Sequence, residues 1–382
     1  MKKLVITMFA IVSVAMLAAC DSRDVLRILN WGEYINDDVV AAFEEATGYR
    51  VSIDVTDSNE SFYSKIKSGT TAYDIVIPSD YMIERMVDED MLIKLDYSKL
   101  PNRSNVTYMD GVNDIFEAMT ATTLARTGKT VDYTDYAVPY FWGSFGIIYN
   151  NRVPGLKTAL ETHGWAAYFD PSLTPANVRR GMYDVPQYAY AAASFYLEQD
   201  VNTVTTASLA AAENAIIQAN FTEWADDMLK RNVESNNLDM AFVYTGDYLD
   251  RLYIQLEEGK TLEEVQALFD IYIPETTMGF MDNLVIPNTS RQVDMAHEFI
   301  NFLLDSEMVA LNSEVVGYAT ALVEAYDLIV ANLNSDDEWY HNWALANLTY
   351  YNKNATNHLV PLTTLSAANI DKINTMIDNV RS

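Results

Sequence analysis

Short apolar runs alternate with amphipathic segments over the first ninety residues of the chain. Period-two runs of strand length predict strands, and apolar positions recurring on one helical face predict helices. Gly48 marks the end of the first helix and Pro78 the end of the third strand. The predicted elements are a strand at 25–29, a helix at 37–47, a strand at 51–55, a helix near 61–67, a strand at 73–77 and a helix from about Asp80. This β-α-β-α-β order predicts a largely parallel sheet covered by helices.

A second set of alternating elements follows later in the chain. Its members are a strand at 239–244, a helix at 262–269, a strand at 283–286 that Pro287 stops, and a helix at 295–304. The C-terminal third is predicted to be mainly helical. Two such sets in 382 residues, with 49% apolar residues and no internal repeat, predict two globular domains of the α/β class.

The N-terminus has the pattern of an export signal. Lys2 and Lys3 precede an apolar run over residues 4–19, which is short for a membrane-spanning helix and ends at Cys20. The sequence Leu17-Ala18-Ala19-Cys20 resembles the bacterial lipobox, in which the peptide before the cysteine is removed and the thiol is lipidated. An ordinary signal peptide with an incidental cysteine is the alternative. We therefore predict a lipoprotein signal peptide at residues 1–19 and a lipid anchor on Cys20.

The mature chain is strongly acidic. Without residues 1–19 it has 23 basic and 54 acidic residues, a net charge of −31. Such a charge repels nucleic acid and anionic substrates, and it attracts cations. The simpler interpretation is that most of these acids only solvate the surface. Because Cys20 is the only cysteine, no internal disulfide can form, and stability must come from a large core.

Polar and aromatic residues follow three of the predicted strands. They lie in the segments 30–34, 78–81 and 244–247. In open α/β sheets ligands bind beyond the carboxyl ends of the strands, so the three segments are expected to form one site. Taken singly, an aromatic residue at a strand end is more often a cap of the core than a ligand wall. The agreement of the three segments supports the prediction.

At these and other segments the chain resembles the spermidine/putrescine-binding proteins of bacteria. The matching stretches are 30–34 (NWGEY), 57–60 (DSNE), 73–82 (YDIVIPSDYM), 138–143 (VPYFWG), 281–287 (MDNLVIP), 300–304 (INFLL) and 317–318 (GY). The resemblance implies a two-lobed periplasmic-binding-protein fold of type II, a "Venus flytrap" that closes on a ligand between its lobes. It also implies a monomer on the outer face of the cell membrane, in the periplasm if an outer membrane exists, that delivers its ligand to the permease and ATPase subunits of an ABC importer.

The same resemblance divides the chain into two lobes. The first is expected to comprise residues 24–135 and 283–331, and the second residues 136–282 and 332–382. No cofactor is expected.

A polyamine combines methylene groups with ammonium groups, so its pocket needs aromatic walls and carboxylates. The aromatic residues that the resemblance places in the site are Trp31, Tyr34, Tyr81, Tyr244, Phe280 and Tyr318. Asp282 occupies the position where the family keeps an aspartate for a ligand nitrogen, and Ser79 is a candidate hydrogen-bond partner. Glu33, Asp80 and Asp247 are supporting acids, each of which could equally be a solvated surface residue.

One segment departs from the family pattern. If Asp184 is the aspartate that members show before an Arg-Glu pair, then Gln187 and Tyr188 replace that pair. Phe280 also stands where typical members have a tryptophan. These changes favour a ligand with fewer or differently spaced charges than spermidine, such as a putrescine-like diamine or a quaternary amine.

The sequence also bears on three other classes of function, namely metal binding, catalysis and adhesion or sensing. The four histidines lie far apart and never at the spacing of a zinc motif, and phosphate-loop and nucleophile-elbow motifs are absent from the sequence, so neither a metal site nor an enzyme is expected. Chance pairs among 54 acids leave a glycosidase formally open. A surface lipoprotein that uses the fold for adhesion or sensing is a further alternative, and a cleft filled by its own side chains would favour it.

Overall fold

Residues 24–354 and 357–381 are described by a computed structural model of the chain. The predicted signal peptide at 1–19 and Cys20 lie outside the described residues. Within them, the elements of the first half are β1 (Val25–Asn30), α1 (Asp37–Thr47), β2 (Arg50–Val55), α2 (Asn59–Ser68), β3 (Ile75–Val76), α3 (Asp80–Asp88), α4 (Asp110–Thr127), β4 (Ala137–Asn150), α5 (Leu156–His163), α6 (Trp165–Phe169), β5 (Arg180–Tyr183) and α7 (Pro186–Tyr196).

The second half continues the alternation and then becomes mainly helical. Its elements are α8 (Thr206–Ala219), β6 (Glu223–Ala225), α9 (Met228–Glu234), β7 (Met240–Tyr244), α10 (Thr245–Glu257), α11 (Leu262–Leu268), β8 (Phe269–Tyr272), β9 (Thr276–Val285), α12 (Val293–Phe302), α13 (Ser306–Val316), β10 (Ala319–Thr320), α14 (Val323–Ala331), α15 (Glu338–Asn354), β11 (His358–Pro361) and α16 (Ala367–Arg381).

The predicted β-α-β-α-β series is confirmed at the N-terminus. β1 pairs in parallel with β2 on one side and with β3 on the other. α1 has the predicted bounds because both of its ends are capped. The Asn36 side chain accepts a hydrogen bond from the Asp38 amide, and Gly48 adopts the left-handed conformation, with φ of 78°, that favours glycine. The third predicted strand is shorter than expected, since only Ile75 and Val76 join the ladder.

Two long antiparallel strands connect the two halves of the sheet. The strand order is β2-β1-β3-β9-β4-β7-β5-β6. The first part of β4, up to Ser144, pairs with β9, and the part from Phe145 onward pairs with β7 and β8. The predicted lobe boundaries, 135/136 and 282/283, fall near the ends of these crossing strands, and the exact division into lobes stays a prediction.

The sequence pattern did not predict β4, although its residues 138–143 were noticed as a family stretch. All fourteen positions of β4 are buried, so the strand lacks the alternation of apolar and polar residues that marks a half-exposed strand. Likewise, the predicted strand at 283–286 is only the end of the ten-residue β9. Because both strands are buried on two faces, they place their side chains in the interior, where the two lobes meet.

Two apolar cores stabilise the lobes. One packs the N-terminal sheet under α1–α4 and α12–α14 and continues onto one face of the second sheet. The other packs the opposite face of the second sheet against α5–α8 and α16. Among the described residues no helix is both long and apolar enough to cross a membrane.

Candidate ligand-binding cleft

The three strand-end segments that sequence analysis singled out meet between the lobes. The Trp31 indole N–H, after β1, donates to the Ile77 carbonyl oxygen at 2.8 Å, just before the loop that follows β3. The Tyr34 ring lies 5.0 Å, centroid to centroid, from that of Tyr318, which packs on Gly246 after β7. A Cβ atom at Gly246 would come within 2.4 Å of the Tyr318 ring, so this contact requires glycine.

Asp282 lies at the centre of this junction. Its side chain is on β9 and is 6% exposed. The Ser79 hydroxyl donates to one carboxylate oxygen at 2.6 Å, and the Tyr34 hydroxyl donates to the other at 2.7 Å. Burial raises the pKa of Asp282 to about 6, although the two hydroxyl donors partly oppose this rise. The Asp282 carboxyl is therefore protonated more easily than an ordinary aspartate, and its two hydrogen-bond donors are neutral.

Asn59 positions one of those donors. Its amide donates to the Ser79 hydroxyl oxygen at 3.0 Å, and its carbonyl oxygen accepts from the Ser79 amide at 2.9 Å. Sequence analysis quoted the segment 57–60 as a family stretch without giving Asn59 a role. Asn59 is the first residue of α2 and is 2% exposed. The only signal in the sequence was its place within the family stretch 57–60, and its burial is visible only in the structure.

Two further acids are buried on α3, whose first residue, Asp80, lines the cleft. Asp80 is 2% exposed, and Glu84, one turn later on α3, is fully buried. One oxygen of each has a hydrogen-bond partner, respectively the Tyr81 and Thr364 amides, whereas Oδ2 of Asp80 and Oε1 of Glu84 have none among the described residues. Burial raises the pKa of Asp80 well above its ordinary value and that of Glu84 to about 7. Sequence analysis did not select Glu84.

Aromatic rings line the remaining walls. Tyr244 lies 4.9 Å from Phe280, and Phe280 lies 6.0 Å from Tyr318. The hydroxyls of Tyr188 and Tyr244 are 2.7 Å apart, so the position where the resemblance suggested a missing glutamate presents two paired hydroxyls. Tyr81 lies beside these residues on the opposite lobe, with its backbone carbonyl accepting from Thr364.

The other predicted acids have different surroundings. Glu33 is exposed, in a backbone conformation with φ of 52°. Asp184 is also exposed and forms an ion pair with Arg381 on α16. Asp247 is buried and accepts from the Lys230 ammonium at 3.0 Å. Burial raises the pKa of Asp247 to about 6, and Lys230 opposes this rise. Asp282 and Asp80 are therefore the selected acids that are buried without an internal cation among the described residues.

The lobes are closed on each other in this structure. The cavity between Ser79, Asp80, Tyr188 and Phe280 has a volume of about 10 Å³, roughly the space of one water molecule. A larger depression of about 420 Å³ lies on the outer surface of the first lobe, between α1 and α12, away from the strand ends. The first matches the predicted position of the site, and the second does not.

The buried histidine of the chain's described part lies apart from this cleft. His297 is buried within the first lobe, where its Nε2 accepts from the Asp96 amide at 2.9 Å and its Nδ1 is 2.7 Å from the Val293 carbonyl oxygen. Over residues 24–354 and 357–381, no group of three His, Cys, Asp or Glu residues has an arrangement that could hold a metal ion.

Comparison with known proteins shows which family this chain resembles. The sequence model described as bacterial extracellular solute-binding protein matches residues 38–347. The putrescine-binding periplasmic proteins PotF of Escherichia coli and SpuD of Pseudomonas aeruginosa are 29% and 28% identical to the chain, with 86% of each chain covered. A solved structure of the spermidine/putrescine ABC transporter substrate-binding protein PotD from Streptococcus pneumoniae is similar, with a TM-score of 0.69, 25% identity, and coverage of 94% of this chain and 98% of that one. The predicted two-lobed α/β fold of the type II periplasmic binding proteins is thereby confirmed.

Proposed function

Because the chain belongs to the bacterial extracellular solute-binding proteins, a family of transport proteins and not of enzymes, we propose that it captures a polyamine between its lobes for an ABC importer. The relatives PotF and SpuD are named for putrescine binding, and PotD for spermidine and putrescine. The ligand-binding residues proposed for this chain are Trp31, Tyr34, Ser79, Asp80, Tyr81, Tyr244, Phe280, Asp282 and Tyr318.

The buried acids of the cleft carry this proposal. Asp282 and Asp80 are each less than a tenth exposed, and neither forms an ion pair with a described Lys or Arg residue. Burying an ionised carboxylate without a counter-ion is unfavourable by several kcal/mol. A ligand ammonium would supply the missing charge, and the rise in the pKa of Asp282 has the direction expected of such an isolated acid.

The rings around these acids suit the rest of a polyamine. The Phe280 ring contacts those of Tyr244 and Tyr318, so the three rings can line a methylene chain. Their faces attract ammonium groups by roughly 0.5 to 2 kcal/mol. A quaternary amine held in the same rings is the closest alternative ligand.

A second candidate function is adhesion or sensing without transport. The small volume of the cleft favours it, because a cavity of about 10 Å³ cannot admit an amine unless the lobes part. The isolated acids argue against it, since a permanently closed cleft would leave them without charge partners. The two functions therefore differ in whether the cleft opens and accepts an amine.

The remaining proposals concern location and partners. We propose that Cys20 anchors the chain by lipid to the extracytoplasmic face of the membrane, and that it acts as a monomer with permease and ATPase subunits. The sequence Leu17-Ala18-Ala19-Cys20 supports the lipid anchor. The extracellular solute-binding family to which the chain belongs supports the location and the transport partners.

Calorimetry of residues 21–382 tests the capture function. Putrescine, spermidine, spermine, choline and glycine betaine should be titrated separately, with small-angle scattering before and after. We expect saturable binding of at least one polyamine and a compact ligand-bound form. Absence of binding for every amine at millimolar concentration would contradict capture and favour adhesion or sensing.

A further inference from the structure

A buried lysine lies next to one of the predicted ligand acids. The Lys230 ammonium on α9 is 3.0 Å from Oδ1 of Asp247 and 3.1 Å from Oδ2 of Asp250, both on α10. The Lys230 side chain is 8% exposed and that of Asp247 is 2% exposed, whereas Asp250 is a quarter exposed. The Lys230–Asp247 pair is therefore an internal ion pair within the second lobe.

Asp247 belongs to the same cleft as Asp282. It follows Gly246, whose backbone lies directly beneath the Tyr318 ring. Burial raises the pKa of the Tyr318 phenol well above its ordinary value, and the negative charges of Asp247 and, more weakly, Asp282 raise it further. Both carboxylates are thus close enough to Tyr318 to act on its phenol, Asp247 from α10 and Asp282 from β9.

The two sides of the cleft differ in their available charge. On the first lobe and the crossing strand, Asp80 and Asp282 are buried and have no cationic partner among the described residues. The second lobe instead presents the hydroxyl pair of Tyr188 and Tyr244. Of its acids, Asp184 is already paired with Arg381 and Asp247 with Lys230. Asp227, which accepts from the Tyr183 hydroxyl at 3.2 Å, is exposed and screened by water.

We propose that Lys230 is a specificity-determining residue, whose ammonium takes the cation position at Asp247 and so restricts the cleft to short amines. This inference rests on the proposed function and refines it. A ligand with one or two ammonium groups can place them at Asp282 and Asp80. The additional ammonium of a triamine would extend toward Lys230, where it meets a like charge in a poorly solvated region. The cleft therefore favours a putrescine-like diamine over spermidine.

Three variants, each made in the whole soluble chain of residues 21–382, test this role. Lys230→Met removes the ammonium and frees Asp247, Lys230→Met with Asp247→Asn removes both charges, and Lys157→Met removes an exposed lysine of the same lobe as a control. Dissociation constants for butylamine, putrescine and spermidine should be measured by calorimetry. The single variant leaves a buried acid unpaired and can fold poorly, whereas the double variant removes the pair as a unit and should fold.

The ratio of spermidine affinity to putrescine affinity is the decisive quantity. We expect it to be lowest in the wild-type chain, higher in the double variant, and highest in Lys230→Met, with at least about a tenfold difference between the extremes. Even the double variant, which lacks the Asp247 charge, should have a higher ratio than the wild type, and Lys157→Met should have the same ratio as the wild type. An unchanged ratio in the Lys230 variants, with amines still bound, would overturn the role of Lys230 alone. Failure of the wild-type chain to bind any amine would overturn the proposed function as well.

Discussion

Replacing Asp282 by asparagine separates a specific binding role from general acidity. The substitution keeps the shape of the side chain and removes its negative charge. An asparagine can keep one accepting oxygen for Ser79 or Tyr34, and its amide can donate to the other hydroxyl oxygen after that hydroxyl rotates. The local hydrogen bonds are therefore largely preserved, and the main change is the loss of the charge partner for an ammonium.

The structure sets the size and the sign of two effects. Losing one partner of a buried, hydrogen-bonded charge pair costs on the order of 2 to 5 kcal/mol, so affinity for the amine should fall at least about thirtyfold. Folding should respond in the opposite direction. The Asp282 carboxyl has a pKa of about 6 in the folded chain against an ordinary value of 3.8, so its ionised form destabilises the ligand-free protein by roughly 3 kcal/mol above pH 6. Asp282→Asn should therefore keep or raise the melting temperature without ligand.

Glu33→Gln is the matched control. Glu33 lies in the loop that carries Trp31 and Tyr34, but its side chain is exposed. Its replacement should reduce affinity by less than about fivefold, and moderate salt should diminish even that effect. Asp247 is unsuitable for this purpose because it is buried against Lys230.

Calorimetric titrations of both variants at low and moderate salt, with melting curves in the absence of ligand, distinguish a specific role of Asp282 from the effect of overall charge. Equal and strongly salt-dependent losses in the two variants would show that the overall charge attracts the ligand. A large fall in the melting temperature of ligand-free Asp282→Asn would instead show that the carboxylate stabilises the fold.

The buried acids, Gly246 and Cys20 each lead to a measurable outcome. Amine affinity should be lower at pH 5.0 than at pH 7.5, because protons compete with the ligand ammonium for Asp282; titrations at the two pH values measure the difference, and equal affinities would contradict it. The free energy of unfolding without ligand should increase as the pH falls from 7.5 to 5, because Asp282 and Glu84 take up protons at higher pH in the folded chain than in the unfolded one. Denaturant unfolding at both pH values measures this, and a lower free energy of unfolding at pH 5 would contradict it. Gly246→Ala should weaken amine binding at least about tenfold by displacing Tyr318, and equal affinity would show that the contact is dispensable. Cys20→Ala should move the protein from the membrane to the soluble fraction, and continued membrane association would contradict the anchor.

The position of the cleft could be predicted from the sequence because it depends on local patterns. Strands such as β1 and β3 are short apolar runs with clear ends, and parallel pairing brings those ends to one edge. Asp282 could be selected only through family resemblance. Its strand, β9, is buried along almost its whole length and has no alternation to show which side chains face the cleft.

The charge state of the cleft could not be predicted, because it depends on contacts between distant parts of the chain. Asp184 pairs with Arg381 across nearly two hundred residues, and Asp247 pairs with a lysine on a different helix. Charge counting treats these acids and Asp282 alike. Only the fold distinguishes a carboxylate that already has a cation from one that lacks it.

The crossing strands also determine the order in which this chain can fold. The ladder of the first lobe joins β3 to β9 at Val76 and Val285, so its sheet stays incomplete until the chain beyond residue 285 is available. β4 in turn needs residues from both sheets along its length. Pairings of such sequence separation slow folding, and they leave the edge of the nascent N-terminal sheet uncovered in the meantime. The strands that allow one cleft to be shared by two lobes therefore also prevent either lobe from maturing alone.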